Sequence, residues 1–252
     1  MSPRFENKTI MVTGAGTGIG KATAMRLAKE GANLALLGRR FEPLQALANE
    51  ITELGGMALP ISCDIAVSQS LISAIEKIIS RFGSLHGVFA NAGVLGEFKP
   101  LPENSLQDFD NLVDVNLKGT FLTLKHCLPF LDRGSVVINA SWTAQSVMPG
   151  AGAYASTKGA LLAMTKTLAV EQGALGVRVN AINPGIILTP MADEVLDADL
   201  SRKLAEHTAL KRNGVPDDVS GTVAWLLSDD SAFITGQEIT IDGGYTIGGV
   251  RL

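Results

Sequence analysis

The chain has 252 residues, 46% apolar and 18% charged, with a formal net charge of -4. That size and balance suit one large α/β domain with a substantial core. A mildly acidic chain without a basic cluster argues against nucleic acid, and no apolar run reaches the ~18 residues that a membrane span needs.

Residues 1–7 are polar and do not read as a signal peptide. From there on, short β-branched and aliphatic runs alternate with amphipathic stretches, the pattern of a parallel sheet covered on both faces. Strands are predicted over 9–13, 33–37, 58–62, 87–90, 135–139, 178–182 and 238–241. Helices are predicted over 18–30, 43–54, 68–82, 106–130 with some interruption, 153–172 and 217–227. Gly31, Gly55 and Gly83 each follow a helical pattern, as C-terminal caps should. Residues 183–215 carry weak regular signal apart from an amphipathic piece over 192–207. Leaving the sixth strand at its carboxyl end, where α/β sheets bind ligands, this segment suits either a substrate lid, about 186–212, or a plain surface excursion. No repeat, low-complexity tract or long linker divides the chain, so residues 1–252 are read as one domain.

After the first strand comes Thr13-Gly14-Ala15-Gly16-Thr17-Gly18-Ile19-Gly20, and a helix follows. Glycines let a backbone turn tightly and approach a pyrophosphate, and the helix amides and dipole then bind the phosphates. An NAD site usually places a carboxylate ~20 residues on, to bind the ribose hydroxyls; this chain has Gly38-Arg39-Arg40 there. A guanidinium pairs well with a 2′-phosphate, so NADP(H) is favoured and NAD(H) is the alternative. After the third strand, Asp64 is placed to accept a bond from an adenine amino group, or simply to start a helix.

Tyr154 and Lys158 are four residues apart on a predicted helix and so share one face. A free phenol, with a pKa near ~10, is a poor acid or base at neutral pH; a nearby ammonium is expected to lower it into useful range. Cys63 and Cys127 follow no motif and read as buried thiols in a reducing compartment, which with the polar start suggests a cytoplasmic protein. His86, His126 and His207 are scattered, so no metal site is expected.

Together these residues resemble the short-chain dehydrogenase/reductase family over almost the whole chain. The matches are Thr13-Gly14-x-x-x-Gly18-Ile19-Gly20, Asp64, Asn91-Ala92-Gly93, Asn116, Ser141, Tyr154-x-x-x-Lys158, Pro184-Gly185 and Ile241-Asp242-Gly243-Gly244, with Ser141 thirteen positions before Tyr154. The resemblance implies a Rossmann-type, doubly wound, seven-stranded parallel sheet and a catalytic group of Asn116, Ser141, Tyr154 and Lys158. Tyr154 would exchange the proton, Ser141 hold the substrate oxygen, Lys158 tune the phenol and bind the nicotinamide ribose, and Asn116 anchor a water that passes protons to Lys158. The cofactor set it implies is Gly14, Thr17, Gly18, Ile19, Arg39, Asp64, Ile65, Asn91, Ala92, Gly93, Tyr154, Lys158, Pro184, Gly185, Ile187 and Thr189. Asn91 to Gly93 would act through backbone groups, and Pro184, Gly185 and Thr189 would embrace the carboxamide. Two departures stand out: Ala90 replaces the family's usual first asparagine, which should affect strand packing more than chemistry, and Thr17 replaces the basic residue some NADP-preferring members carry in the turn.

The substrate wall is expected to comprise Val94, Leu95, Trp142, Gln145, Val147, Ile186, Leu188 and Met191. Its apolar character suits a small, uncharged ketone or secondary alcohol. A beta-ketoacyl thioester reductase is one alternative, and a dinucleotide-sensing protein without chemistry is another. Apolar residues on more than one face of the 153–172 helix, and the stretch 239–252 after the last strand, point with the resemblance to a homotetramer.

Overall fold

A computed structural model describes residues 3–247; the end of the 239–252 stretch expected to pair between subunits, 248–252, lies outside the described residues. Seven parallel strands form one sheet: β1 (Thr9–Thr13), β2 (Asn33–Gly38), β3 (Met57–Ser62), β4 (Leu85–Ala90), β5 (Leu131–Asn139), β6 (Arg178–Pro184) and β7 (Glu238–Ile241). Their order is β3-β2-β1-β4-β5-β6-β7. The order reverses between β1 and β4, and the crevice beyond the carboxyl ends of these two strands is where such sheets take ligands. Pro60 is tolerated because β3 is an edge strand, paired only with β2.

The strands read as continuous apolar runs because both faces are covered. Met11, Ala35, Val88 and Val136 pack on one side with α3 (Ser68–Phe82) and α6 (Gly152–Gly173). Ile10, Val12, Leu34, Leu36, Phe89 and Val137 pack on the other with α1 (Gly18–Lys29), α2 (Phe41–Glu53) and α8 (Pro216–Leu227). Gly31, Gly55 and Gly83 close their helices with positive φ, as expected. Ala90 is buried in the core, so the replaced asparagine is indeed a packing position.

Two elements differ from the sequence expectation. The helix predicted over 106–130 is divided into α4 (Leu106–Leu112), a widened π-helical segment Val113–Lys118, α5 (Gly119–Cys127) and a 3-10 turn Leu128–Phe130. The widened segment is the one that carries Asn116, whose side chain is engaged away from the helix. Strand β5 starts at Leu131 rather than 135, with a register shift opposite Leu85/Gly87. Gly134 makes the close approach workable: a Cβ there would lie 2.6 Å from the His86 carbonyl oxygen. Past β6, the 183–215 segment holds a 3-10 turn Ala192–Glu194 and α7 (Ala198–His207). It is fastened at its root, where Leu188 donates to the Gly214 carbonyl (2.9 Å) and Gly214 to that of Ile186 (2.8 Å).

Candidate active site

At the carboxyl ends of β1 and β4 the sheet opens into a cleft of about 950 Å³. The glycine turn forms its floor. Gly14 has φ 66°, and a Cβ there would stand 2.9 Å from the Ala92 Cα; a Cβ on Gly20 would lie 2.2 Å from the Gly14 carbonyl oxygen. Turn and helix start are therefore packed as closely as backbone allows. Helix α1 follows with no side-chain cap from Thr17 and no acidic residue in its first turn. Its first amides lack intrahelical partners and face anion-favouring potential. Glycine cradle, uncapped helix start and a cleft of this volume fit a dinucleotide, the group the sequence implies.

All sixteen expected cofactor residues line this cleft. Several of them also hold the protein's own structure. The Thr13 hydroxyl accepts from the Asn91 (3.0 Å) and Ala92 (3.1 Å) amides, so those two backbone groups are engaged rather than free for a ligand. Asn91 Nδ2 donates to the Thr13 carbonyl at 2.9 Å, tying β1 to β4. Asp64 accepts from the Ala66 amide (3.0 Å), and Thr189 Oγ1 from that of Ala192 (3.2 Å). Gly185 abuts Asp242, where a Cβ would come within 2.6 Å. Arg39 is exposed at the end of β2 and forms no ion pair among the described residues.

Ser141, Tyr154 and Lys158 also line the cleft, close to one another. Ser141 follows β5, and its Oγ accepts from the Thr143 amide (3.2 Å) and hydroxyl (3.0 Å) and bonds the Tyr154 hydroxyl. Tyr154 and Lys158 lie in the first two turns of α6, with Lys158 Nζ 5.6 Å from the Tyr154 ring centroid and donating to the Asn139 carbonyl at 2.8 Å. The expected lowering of the phenol is not seen. Burial pushes Tyr154 up to about 12 against the opposing bond from Ser141, and burial brings Lys158 down to about 8. The physical reason is that desolvation penalises the charged form of both groups.

Asn116 lies behind this group. It is fully buried, its Oδ1 accepts from the Val94 amide (2.8 Å), and its Nδ2 donates to the Val94 carbonyl (2.9 Å) and Thr157 Oγ1 (3.3 Å). Its side chain holds the loop after β4. Of the expected substrate wall, Val94, Leu95, Trp142, Ile186 and Met191 line the cleft. Gln145 does not, because its amide bonds Glu238 and Thr240 on β7, while Val147 is 87% exposed and Leu188 also turns outward.

Asn139, Thr143, Phe98 and Met148 were not anticipated. The Asn139 main-chain carbonyl accepts from Lys158, a contact any residue could make there and no side chain signals, while its side-chain amide donates to Asn91 Oδ1 at 2.8 Å. The Phe98 ring lies tilted at 49° to that of Tyr154, 6.2 Å between centroids; a lone loop phenylalanine offers no such signal. Among the described residues no group of three or more side chains could hold a metal ion, and no helix is long and apolar enough to cross a membrane. Cys63 and Cys127 are free and buried.

The family model described as enoyl-(acyl carrier protein) reductase matches residues 14–246. Cyclohexanol dehydrogenase of Acinetobacter sp. (strain SE19) is 35% identical over 249 residues, 98% of each chain. The 2,5-dichloro-2,5-cyclohexadiene-1,4-diol dehydrogenase of Sphingobium indicum is 36% identical over 248 residues, 96% of this chain and 98% of that one. The solved structure of levodione reductase matches with a TM-score of 0.93 at 32% identity, over 97% of this chain and 100% of the other.

Proposed function

The chain belongs to the short-chain dehydrogenase/reductase family of oxidoreductases acting on CH–OH and C=O groups, and from that premise we propose that it interconverts an uncharged cyclic secondary alcohol and its ketone, with NADP(H) favoured over NAD(H). The observation that carries this reading is the convergence of Ser141, Tyr154 and Lys158 in a cleft that the glycine cradle and Arg39 also line. The ring preference is supported by the apolar wall and by two relatives named for hydroxylated six-membered carbocycles.

When bound, the nicotinamide supplies or accepts the hydride. In reduction, oxygen gains negative charge as the carbonyl carbon becomes tetrahedral. Tyr154 delivers the proton to that oxygen and Ser141 Oγ steadies it by a hydrogen bond; in oxidation the same phenol removes the proton. Lys158 supplies positive charge beside the phenol and a donor for ribose hydroxyls. Asn116 is a positioning residue, and the main-chain carbonyl of Asn139 keeps the lysine in place. Arg39 is assigned to the 2′-phosphate, since Gly38 offers no carboxylate to the ribose. Residues 1–252 form one catalytic domain whose segment 186–212 covers the substrate, in a cytoplasmic homotetramer.

The test is a panel of cyclic ketones and alcohols, with a beta-ketoacyl thioester beside them, followed by nicotinamide absorbance with each cofactor. Turnover of a cyclic ketone with NADPH is expected, and Tyr154→Phe should lower kcat by about 10²–10⁴-fold while cofactor affinity holds. Preference for the thioester would replace the substrate assignment. Cofactor binding without turnover of any compound would favour the sensing alternative.

A further inference from the structure

The Asp242-Gly243-Gly244 turn after β7 lies beyond the chemistry described above, yet it is built with unusual constraint. The Asp242 carboxylate accepts from the Gly244 amide (2.8 Å), the Thr246 amide (2.7 Å) and the Thr246 hydroxyl (2.6 Å). Gly243 and Gly244 follow each other at φ 60° and 76°, a conformation that side chains rarely adopt. The turn touches the cofactor side of the cleft at Gly185, and the Gly243 carbonyl accepts from the Leu210 amide at 3.1 Å, just after α7. What it presents next is Tyr245.

The Tyr245 ring meets Trp142 edge-on, with centroids 4.8 Å apart at 64°, and meets His207 at 4.8 Å and 67°. His207 ends α7, the helix of the covering segment. Trp142 directly follows Ser141 and lines the cleft, 4% exposed. A three-residue turn fixes the backbone of Trp142 but leaves an indole of that size free to change rotamer. Packing against Tyr245 removes that freedom, since edge-to-face rings have a preferred geometry.

We propose that Trp142 is the specificity-determining wall of the substrate chamber, and that Tyr245 is the positioning residue that sets it, linking chamber width to α7 through His207. The inference rests on the proposed ketone reductase activity and adds to it the residue that limits the size of the ring accepted.

The test compares cyclohexanone with 1-decalone in the full-length protein. Trp142→Ala should raise the decalone-to-cyclohexanone ratio of kcat/KM by about tenfold or more. Tyr245→Ala should shift it the same way by a smaller factor, through KM rather than kcat, and Tyr245→Phe, which keeps the ring, should restore the parent ratio. NADPH titration checks that the cofactor end is intact, and Trp142→Phe, expected to shift the ratio less, serves if the alanine variant does not fold. A Trp225→Phe background leaves Trp142 as the single tryptophan of the two in the chain; there Tyr245→Ala should red-shift the emission and Tyr245→Phe should not. An unchanged ratio in Trp142→Ala with normal NADPH binding overturns the wall assignment. Unchanged emission and ratio in Tyr245→Ala overturn the positioning role. If the parent reduces neither ketone, the activity reading fails, while the emission measurement still decides on the ring contact.

Discussion

At the scale of single residues, the half-buried Tyr154 and the buried Lys158 are pulled in opposite directions. Raising the phenol from 10.0 to about 12 corresponds to ~3 kcal/mol against its ionised form. That figure already includes the opposing bond from Ser141, so burial outweighs the bond. The phenol therefore keeps its proton across the working range and is ready to donate in reduction. Lys158 is different, because burial lowers it to about 8. Below that pH the ammonium is present, and above it the charge is lost. The predicted consequence is that kcat/KM for ketone reduction, which reports the free enzyme, is level below about pH 8 and falls as pH rises through it. Lys158→Arg, charged throughout, should show whatever activity it retains without that descending limb. A parent profile that rises through the same interval would contradict the assignment of Lys158 as the charged partner.

At the scale of elements, what could be read from the sequence was what is local and periodic. The strand and helix alternation, the glycine caps and the turn opening α1 all depend on neighbours within a few residues, and each is found. What could not be read depends on partners far along the chain. Gln145 is drawn to Glu238 and Thr240, ninety-three and ninety-five positions away, and leaves the pocket. Asn116 is claimed by Val94, twenty-two positions back, and the helix around it widens. The depth of burial around Tyr154, which reverses the expected shift of its phenol, is likewise set by the assembled layers rather than by the Tyr-x-x-x-Lys spacing. The end of β2 carries the prediction that belongs here. Because that strand delivers Arg39 to the cleft edge and ends at Gly38 without a carboxylate, Arg39→Ala should weaken NADPH about tenfold or more while leaving NADH within about threefold, a charge-assisted contact being lost from one and not the other. Titration of both cofactors measures it, and equal losses would mean that the guanidinium does not read the 2′-phosphate.

At the scale of the molecule, the outer faces of the helices that carry the site are unusually apolar for surfaces meeting water. Leu106 and Phe109 on α4 are 81% and 40% exposed, Phe121 on α5 is 50% exposed, and Val170 on α6 is 82% exposed. The outward stripe of α6 continues with small residues at Ser156, Ala163 and Thr167, which let another helix approach closely. Tyr154 and Lys158 are on the inner side of the same helix, so a subunit packed on the outer side would stiffen the support of the reacting groups. The expected tetramer makes two measurable statements about this face. The doubly substituted Phe121→Glu, Val170→Glu chain should sediment as a smaller species than the parent while its far-ultraviolet circular dichroism is retained, because both side chains are solvent-facing in the single chain. The parent's Tm should rise with protein concentration, as mass action requires when association stabilises only the folded state, and the variant's should not. A parent that sediments as a monomer, with a Tm independent of concentration, would remove the tetramer and with it the idea that α6 is braced from outside.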